Sequence, residues 1–173
     1  VTQAERQPGS AFKLAVYLAA LRRGLTPDSL VENTATAIGR WRPRNFNDRY
    51  SRSITLRQAF AQSSNVAAVR LTQKVGTRRV IEAARDLGIT SSLRRDPTLA
   101  LGTSETTLLE LAAAYATVAG GRGPVRPYGL VAESATDRGA PLDPTHRAAL
   151  LDLLAEVVAT GTGKSAALTV PTF

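Results

Sequence analysis

The sequence has no cysteine, so it can form neither a disulfide nor a thiolate metal site. It has a single histidine, His146, and no HExxH-type pattern, which argues against a metal enzyme. No apolar run approaches the length of a membrane-spanning helix, and no signal peptide opens the chain. Any anchor or export signal is therefore expected outside these residues. Internal repeats, low-complexity tracts and a dividing linker are also missing. Acidic residues are the scarcer sign of charge: 14 against 22 Lys and Arg, a net charge of +8. Such an excess favours polyanions, whether nucleic acid or an anionic envelope polymer. The arginines are scattered, however, as at Arg22, Arg23, Arg40, Arg42, Arg44, Arg78, Arg79, Arg94 and Arg95, which is the pattern of a solvated surface.

What remains is a chain of 173 residues, 43% of them hydrophobic, enough for one globular domain with a sizeable core. Helical spacing predicts a first helix from about Ser10 to Arg23, apolar around nearly its whole circumference and hence central. Gly24 stops it. Residues 26–53 carry Pro27, Trp41, Pro43, Asn45, Asn47 and Asp48 and read as loop, with one short strand near Trp41. Thr55 is placed to cap TLRQAFAQ, and Thr77 to cap TRRVIEAARDL, with NVAAVRLTQKV between them. Ser104 opens a further helix that ends at Gly120-Gly121. The period then shifts over VRPYGLVAESATDRGAPL, predicting two short strands with a turn at 137–139. A last helix spans Pro144 to Ala159, with His146 in its first turn in a solvated or capping role.

The stretch QPGSAFKLAVYLAALRRGL places Ser10 and Lys13 as S-x-x-K at the head of the most apolar helix. The spacing of three sets both side chains on one face, one turn apart. A serine hydroxyl needs a base beside it to act as a nucleophile. Lysine can serve if burial lowers its pKa, because desolvation disfavours the ammonium. The helix N-terminus also favours negative charge at the serine oxygen. The same residues can equally be a helix cap and a lysine that snorkels to solvent.

Ser63-Ser64-Asn65 is an S-x-N triplet between two helices. Such a turn can project a hydroxyl that relays protons and an amide that holds a carbonyl or the lysine. It can also be a plain helix–helix connection. TLRQAFAQSSNVAAVRLTQKVG further has the size of a helix-turn-helix, so a DNA-binding module is an alternative, although Arg70, Gln73 and Lys74 lie at the wrong end of its second helix. Trp41 and Phe46 either border a cleft or pack as satellites.

S-x-x-K and S-x-N, 53 residues apart, occur with RQPGSAFK, LAALRRGLTP, ITLRQAFAQSSNVAAVRL, LALGTSETTLLELAAAYATVAGG and VVATGTGKSA. Together these resemble the transpeptidase domain of class A penicillin-binding proteins over nearly the whole chain. The resemblance implies the α/β fold shared by penicillin-binding proteins and β-lactamases, here mainly its helical part. It implies that Ser10 attacks the D-Ala-D-Ala carbonyl, that Lys13 is its base, that Ser63 relays protons and binds substrate, and that Asn65 binds the donor amide. The Ser10 backbone N–H would be one oxyanion donor. The implied partners are peptidoglycan stem peptides and β-lactams, with no cofactor, no metal and no nucleic acid. The implied location is the periplasmic or outer face of a bacterial membrane, with an anchor and a glycosyltransferase domain elsewhere in the protein.

One family feature is missing. The third motif, K-[TS]-G, does not occur, and Lys164-Ser165-Ala166 is a poor substitute that directly follows Gly161-Thr162-Gly163. Residues 1–173 are therefore expected to be a partial D,D-transpeptidase domain, ending where the third motif would follow and inactive without it. A catalytically incomplete penicillin-binding scaffold is the alternative. In the family the first helix packs under a sheet drawn from both ends of the domain, so one side of it is expected to lack a partner and to favour aggregation or capture of the absent segments.

Overall fold

Lysine, leucine, alanine, valine and tyrosine in KLAVYLAAL form helix α1 (Lys13–Leu21), and every residue of it is buried. The computed structural model describes residues 3–128 and 139–168. A 3-10 turn over Gly9–Phe12 leads into α1, so the predicted helix begins as a tighter turn that contains Ser10. Helices α3 (Asn65–Val75), α4 (Thr77–Asp86) and α6 (Pro144–Ala159) pack around α1. The expectation that one side of this helix lacks a partner is not met. Its residues are at most 3% exposed, because helices from both halves of the chain enclose it. At about 1.5–3 kcal/mol per large apolar side chain, this burial dominates the stability of the core.

Among the described residues helix α2 (Leu56–Ala61) and helix α5 (Leu108–Gly120) complete the set of α-helices, and both lie against α6. Thr55 caps α2 as expected, in a reciprocal capping box with Gln58. Two other starts differ. Gly76, not Thr77, occupies the cap position of α4, and α5 begins after Thr107 in a capping box with Glu110, not at Ser104. The physical reason for the second is pairing: Thr106–Thr107 form strand β4, antiparallel to β1 (Glu5–Arg6).

The loop reading of residues 26–53 is also corrected. Strands β2 (Leu30–Asn33) and β3 (Ser51–Thr55) form an antiparallel hairpin there, packed on α3, while near Trp41 there is only an isolated bridge to Ile38. β2 alternates exposed and buried residues, with Val31 and Asn33 facing inward. The alternation is too short to outweigh the surrounding Pro, Asn and Asp in sequence. A third ribbon pairs β5 (Arg122–Gly123) with β6 (Ala140–Pro141). Residues 129–138, which hold much of the predicted first strand and the start of its turn, lie outside the described residues, and β6 falls where the strand after the turn is predicted. Among the described residues no helix is long and apolar enough to cross a membrane.

Helix α3 is not available to DNA. Val66, Ala67, Ala68, Val69, Leu71 and Val75 are buried, and Arg70 pairs with Glu32 of β2 at 3.2 Å. The helix-turn-helix alternative fails because its would-be recognition helix is core.

Candidate active site

Lys13 is 2% exposed, and its ammonium reaches out of α1 to the turn between α2 and α3. It donates to the backbone carbonyl of Ser63 at 2.6 Å, to Ser63 Oγ at 3.0 Å and to Asn65 Oδ1 at 2.8 Å. All three ammonium protons are thus placed. Burial lowers its pKa from 10.5 to about 8. The snorkelling alternative is excluded by this burial. A charged lysine held in apolar surroundings gives up its proton far more readily than one in water.

The turn that receives it has a specific geometry. Ser63 N–H donates to Phe60 O and Ser64 N–H to Ala59 O, both at 2.9 Å. This pair of bonds is a Schellman closure of α2, with Ser63 at the position that usually holds glycine. Ser63 accordingly has φ of 52°, in the left-handed region. The next residue starts the following helix: Ser64 Oγ accepts from Ala67 N–H at 3.1 Å and caps α3.

Beneath the turn lies a buried polar cluster that the sequence reading missed. Ser64 Oγ donates to Asn33 Oδ1 at 2.7 Å, Asn45 Nδ2 donates to the same oxygen at 2.9 Å, and Asn45 Oδ1 accepts from Val66 N–H at 3.0 Å. Asn65 Nδ2 donates to Arg44 O at 2.8 Å, which ties the amide to the same loop. Asn33 and Asn45 come from the stretch read as loop with one short strand near Trp41. No local signal marked them, because the strand that turns Asn33 inward is itself too short to read from sequence and Asn45 lies outside any strand. Ser64→Ala is expected to destabilise the protein by about 1–3 kcal/mol, since a cap and a buried donor are lost together. Urea unfolding measures this, and a loss under about half a kcal/mol would mean that the cluster does not support the turn.

Ser10 lies on the wall of a cleft of about 650 Å³ that is also lined by Asn45, Phe46, Arg49, Gln62, Ser63, Ser64, Asn65 and Thr160–Thr162. All the sequence-predicted residues except Lys13 border this space, and Lys13 touches two of them. Among the described residues Ser10 Oγ makes no hydrogen bond, to Lys13 or to any other group. The three ammonium protons of Lys13 go to Ser63 and Asn65, which leaves none for Ser10 Oγ, and an ammonium has no lone pair to accept the serine proton. Phe46 borders the cleft with 85% exposure, whereas Trp41 packs against the core. His146 takes the first-turn position expected of it, its N–H accepted by the cap residue Asp143.

The far wall was also missed. Thr162 N–H donates to Ala61 O at 3.0 Å, which seats the Thr160–Thr162 turn on the end of α2. Gly161 allows this approach, because a Cβ there would lie 2.2 Å from Ala61 O. Gly161→Ala is expected to cost about 1–3 kcal/mol and to lower the melting temperature by several degrees. A wild-type melting curve by differential scanning calorimetry would show that the turn is free to move away.

The family model for the penicillin binding protein transpeptidase domain matches residues 1–173. Penicillin-binding protein 1A of Rickettsia felis is 35% identical over 134 residues, covering 74% of this chain and 17% of that protein. Penicillin-binding protein 1A of Neisseria meningitidis serogroup B is 41% identical over 127 residues, 69% of this chain and 16% of the relative. The crystal structure of penicillin-binding protein 1A from Haemophilus influenzae superposes with a TM-score of 0.70 at 34% identity, over 73% of this chain and 20% of that one. The chain thus spans about a sixth of the length of the curated relatives it matches. The helix-rich architecture is consistent with part of their transpeptidase fold. The chain belongs to the penicillin-binding protein transpeptidase domain family.

Proposed function

We propose that these residues form the acyl-transfer centre of a D,D-transpeptidase that cross-links peptidoglycan. The observation that carries the reading is the convergence of Ser63 and Asn65 on the buried Lys13 ammonium, at a cleft that Ser10 lines. Neutral Lys13 takes the Ser10 proton as Oγ attacks the penultimate D-Ala carbonyl of a stem peptide. The C–N bond to the terminal D-Ala breaks, and the proton passes through Ser63 Oγ to the leaving amine. An amine on a neighbouring stem then attacks the serine ester, and Ser63 returns the proton path in reverse. Asn65 orients Lys13 and the donor amide, and the Ser10 backbone N–H serves as an oxyanion donor. β-Lactams acylate the same serine as mimics of the donor. The protein that carries this domain is placed at the outer face of the cell membrane, with its anchor and a glycosyltransferase domain in other parts of its sequence.

The test is mass spectrometry after incubation with benzylpenicillin, on the 173-residue chain and on the full polypeptide from its gene. Trypsin releases Gln7–Lys13, in which Ser10 is the sole hydroxyl residue. A penicilloyl adduct on that peptide from the full polypeptide is the expected result. Its absence from the shorter chain would assign the deficit to residues outside these 173. An unmodified peptide from both would overturn the acyl-transfer reading and leave a binding scaffold.

A further inference from the structure

The nucleophile sits on a weak element. The Gly9–Phe12 turn is a single 3-10 piece after Pro8, and such turns have poorer hydrogen-bond geometry than α-helix. Ser10 is exposed on it, with no side-chain bond to steady it. Two restraints from distant parts of the chain grip the turn on either side of Ser10. Gly9 N–H donates to Gly102 O at 3.2 Å. Gly102 has φ of 68°, and a Cβ there would lie 2.2 Å from Gly9 O, so only a glycine permits the approach. On the other side, the Tyr115 hydroxyl, from the middle of α5, donates to Ala11 O at 3.1 Å. Burial raises the Tyr115 pKa, so the hydroxyl keeps the proton it donates. Neither residue lines the cleft.

We propose that Tyr115 and Gly102 are positioning residues, which clamp the backbone at Ala11 and Gly9 and so aim the Ser10 hydroxyl between them. The proposal rests on the acyl-transfer reading above. It gives a chemical purpose to two residues of the stretch from Leu99 to Gly121. The 3-10 turn at Pro97–Leu101 delivers Gly102 with a left-handed cap, and α5 delivers Tyr115. A clamp of this kind matters because small misplacements of a reacting atom cost large factors in rate.

The experiment is stopped-flow acylation by benzylpenicillin in the full-length protein, comparing wild type with Tyr115→Phe and Gly102→Ala. Tyr115→Phe is expected to lower the limiting acylation rate about tenfold, while the half-saturating concentration and the pH midpoint near 8 stay unchanged. Gly102→Ala is expected to fall at least as far. If it does not fold, Tyr115→Phe decides alone. A Tyr115→Phe protein that acylates at the wild-type limiting rate overturns the clamp, as does a loss confined to half-saturation. A wild type that fails to acylate instead overturns the functional reading, and the two failures are distinct.

Discussion

Replacing Lys13 by methionine is expected to lower the acylation of Ser10 by benzylpenicillin at least about a thousandfold at pH 8. Methionine fills the same apolar slot in α1, so the helix stays seated. Ser63 O and Asn65 Oδ1 lose a donor, at about 1–3 kcal/mol each, and relief of lysine desolvation offsets part of that. Lys13→Arg sharpens the test, because a guanidinium keeps donors and charge but does not deprotonate in this range. It should be as slow as the methionine variant. With its pKa lowered to about 8, roughly one lysine in ten is neutral at pH 7, against about one in three thousand for an ordinary lysine. The wild-type rate should therefore rise about tenfold per pH unit below 8 and level off above it. A flat profile between pH 6 and 9, or a fast Lys13→Arg enzyme, would remove Lys13 from the role of base. The same burial has a stability consequence of definite sign. The folded pKa lies below the unfolded 10.5, so the unfolded chain binds more protons between about pH 8 and 10.5. The lysine's cost is full below pH 8 and fades as pH rises through that window.

Much of this arrangement was legible in the sequence, and the reasons differ by element. Helices α3 and α6 match their predicted bounds, because clear stops such as Gly76 and Thr160-Gly161 end them. Ser10, Lys13, Ser63 and Asn65 were identifiable because short-range spacing and chemistry are written locally. Long-range pairing is not. β1 and β4 have two residues each and form because Glu5 and Arg6 happen to face Thr107 and Thr106, a hundred residues away. Asn33 and Asn45 carry no local sign that they meet under Ser64. The Lys13 bond to the Ser63 backbone, and the missing Ser10 bond, follow from which lone pairs the fold leaves free. The predicted uncovered side of α1 failed for a similar reason: apolar circumference reports that a helix is enclosed, without saying by which elements.

Ser63→Gly should separate stability from chemistry at one position. A serine at φ of 52° is in a conformation that costs an L-residue about 1–2 kcal/mol, and glycine adopts it freely. Glycine would keep both backbone bonds of the Schellman closure and the carbonyl that receives Lys13. It would lose the 3.0 Å bond from Lys13 to Oγ, worth about 0.5–1.5 kcal/mol, and would add freedom to the unfolded chain. These terms nearly cancel, so the unfolding free energy should stay within about 1 kcal/mol of wild type. Acylation by benzylpenicillin should nevertheless fall about a hundredfold, because the relay between Lys13 and the leaving nitrogen is gone. Urea titration and stopped-flow acylation on the same preparation give both numbers. A Ser63→Gly protein that is as stable and as fast as wild type would remove the hydroxyl from the proton path. One that unfolds would show that the Oγ bond holds the turn, and the left-handed serine would then be explained by structure. The expected split, with stability kept and rate lost, is what strain retained for a hydroxyl predicts: glycine suits the turn better, and only serine can pass a proton there.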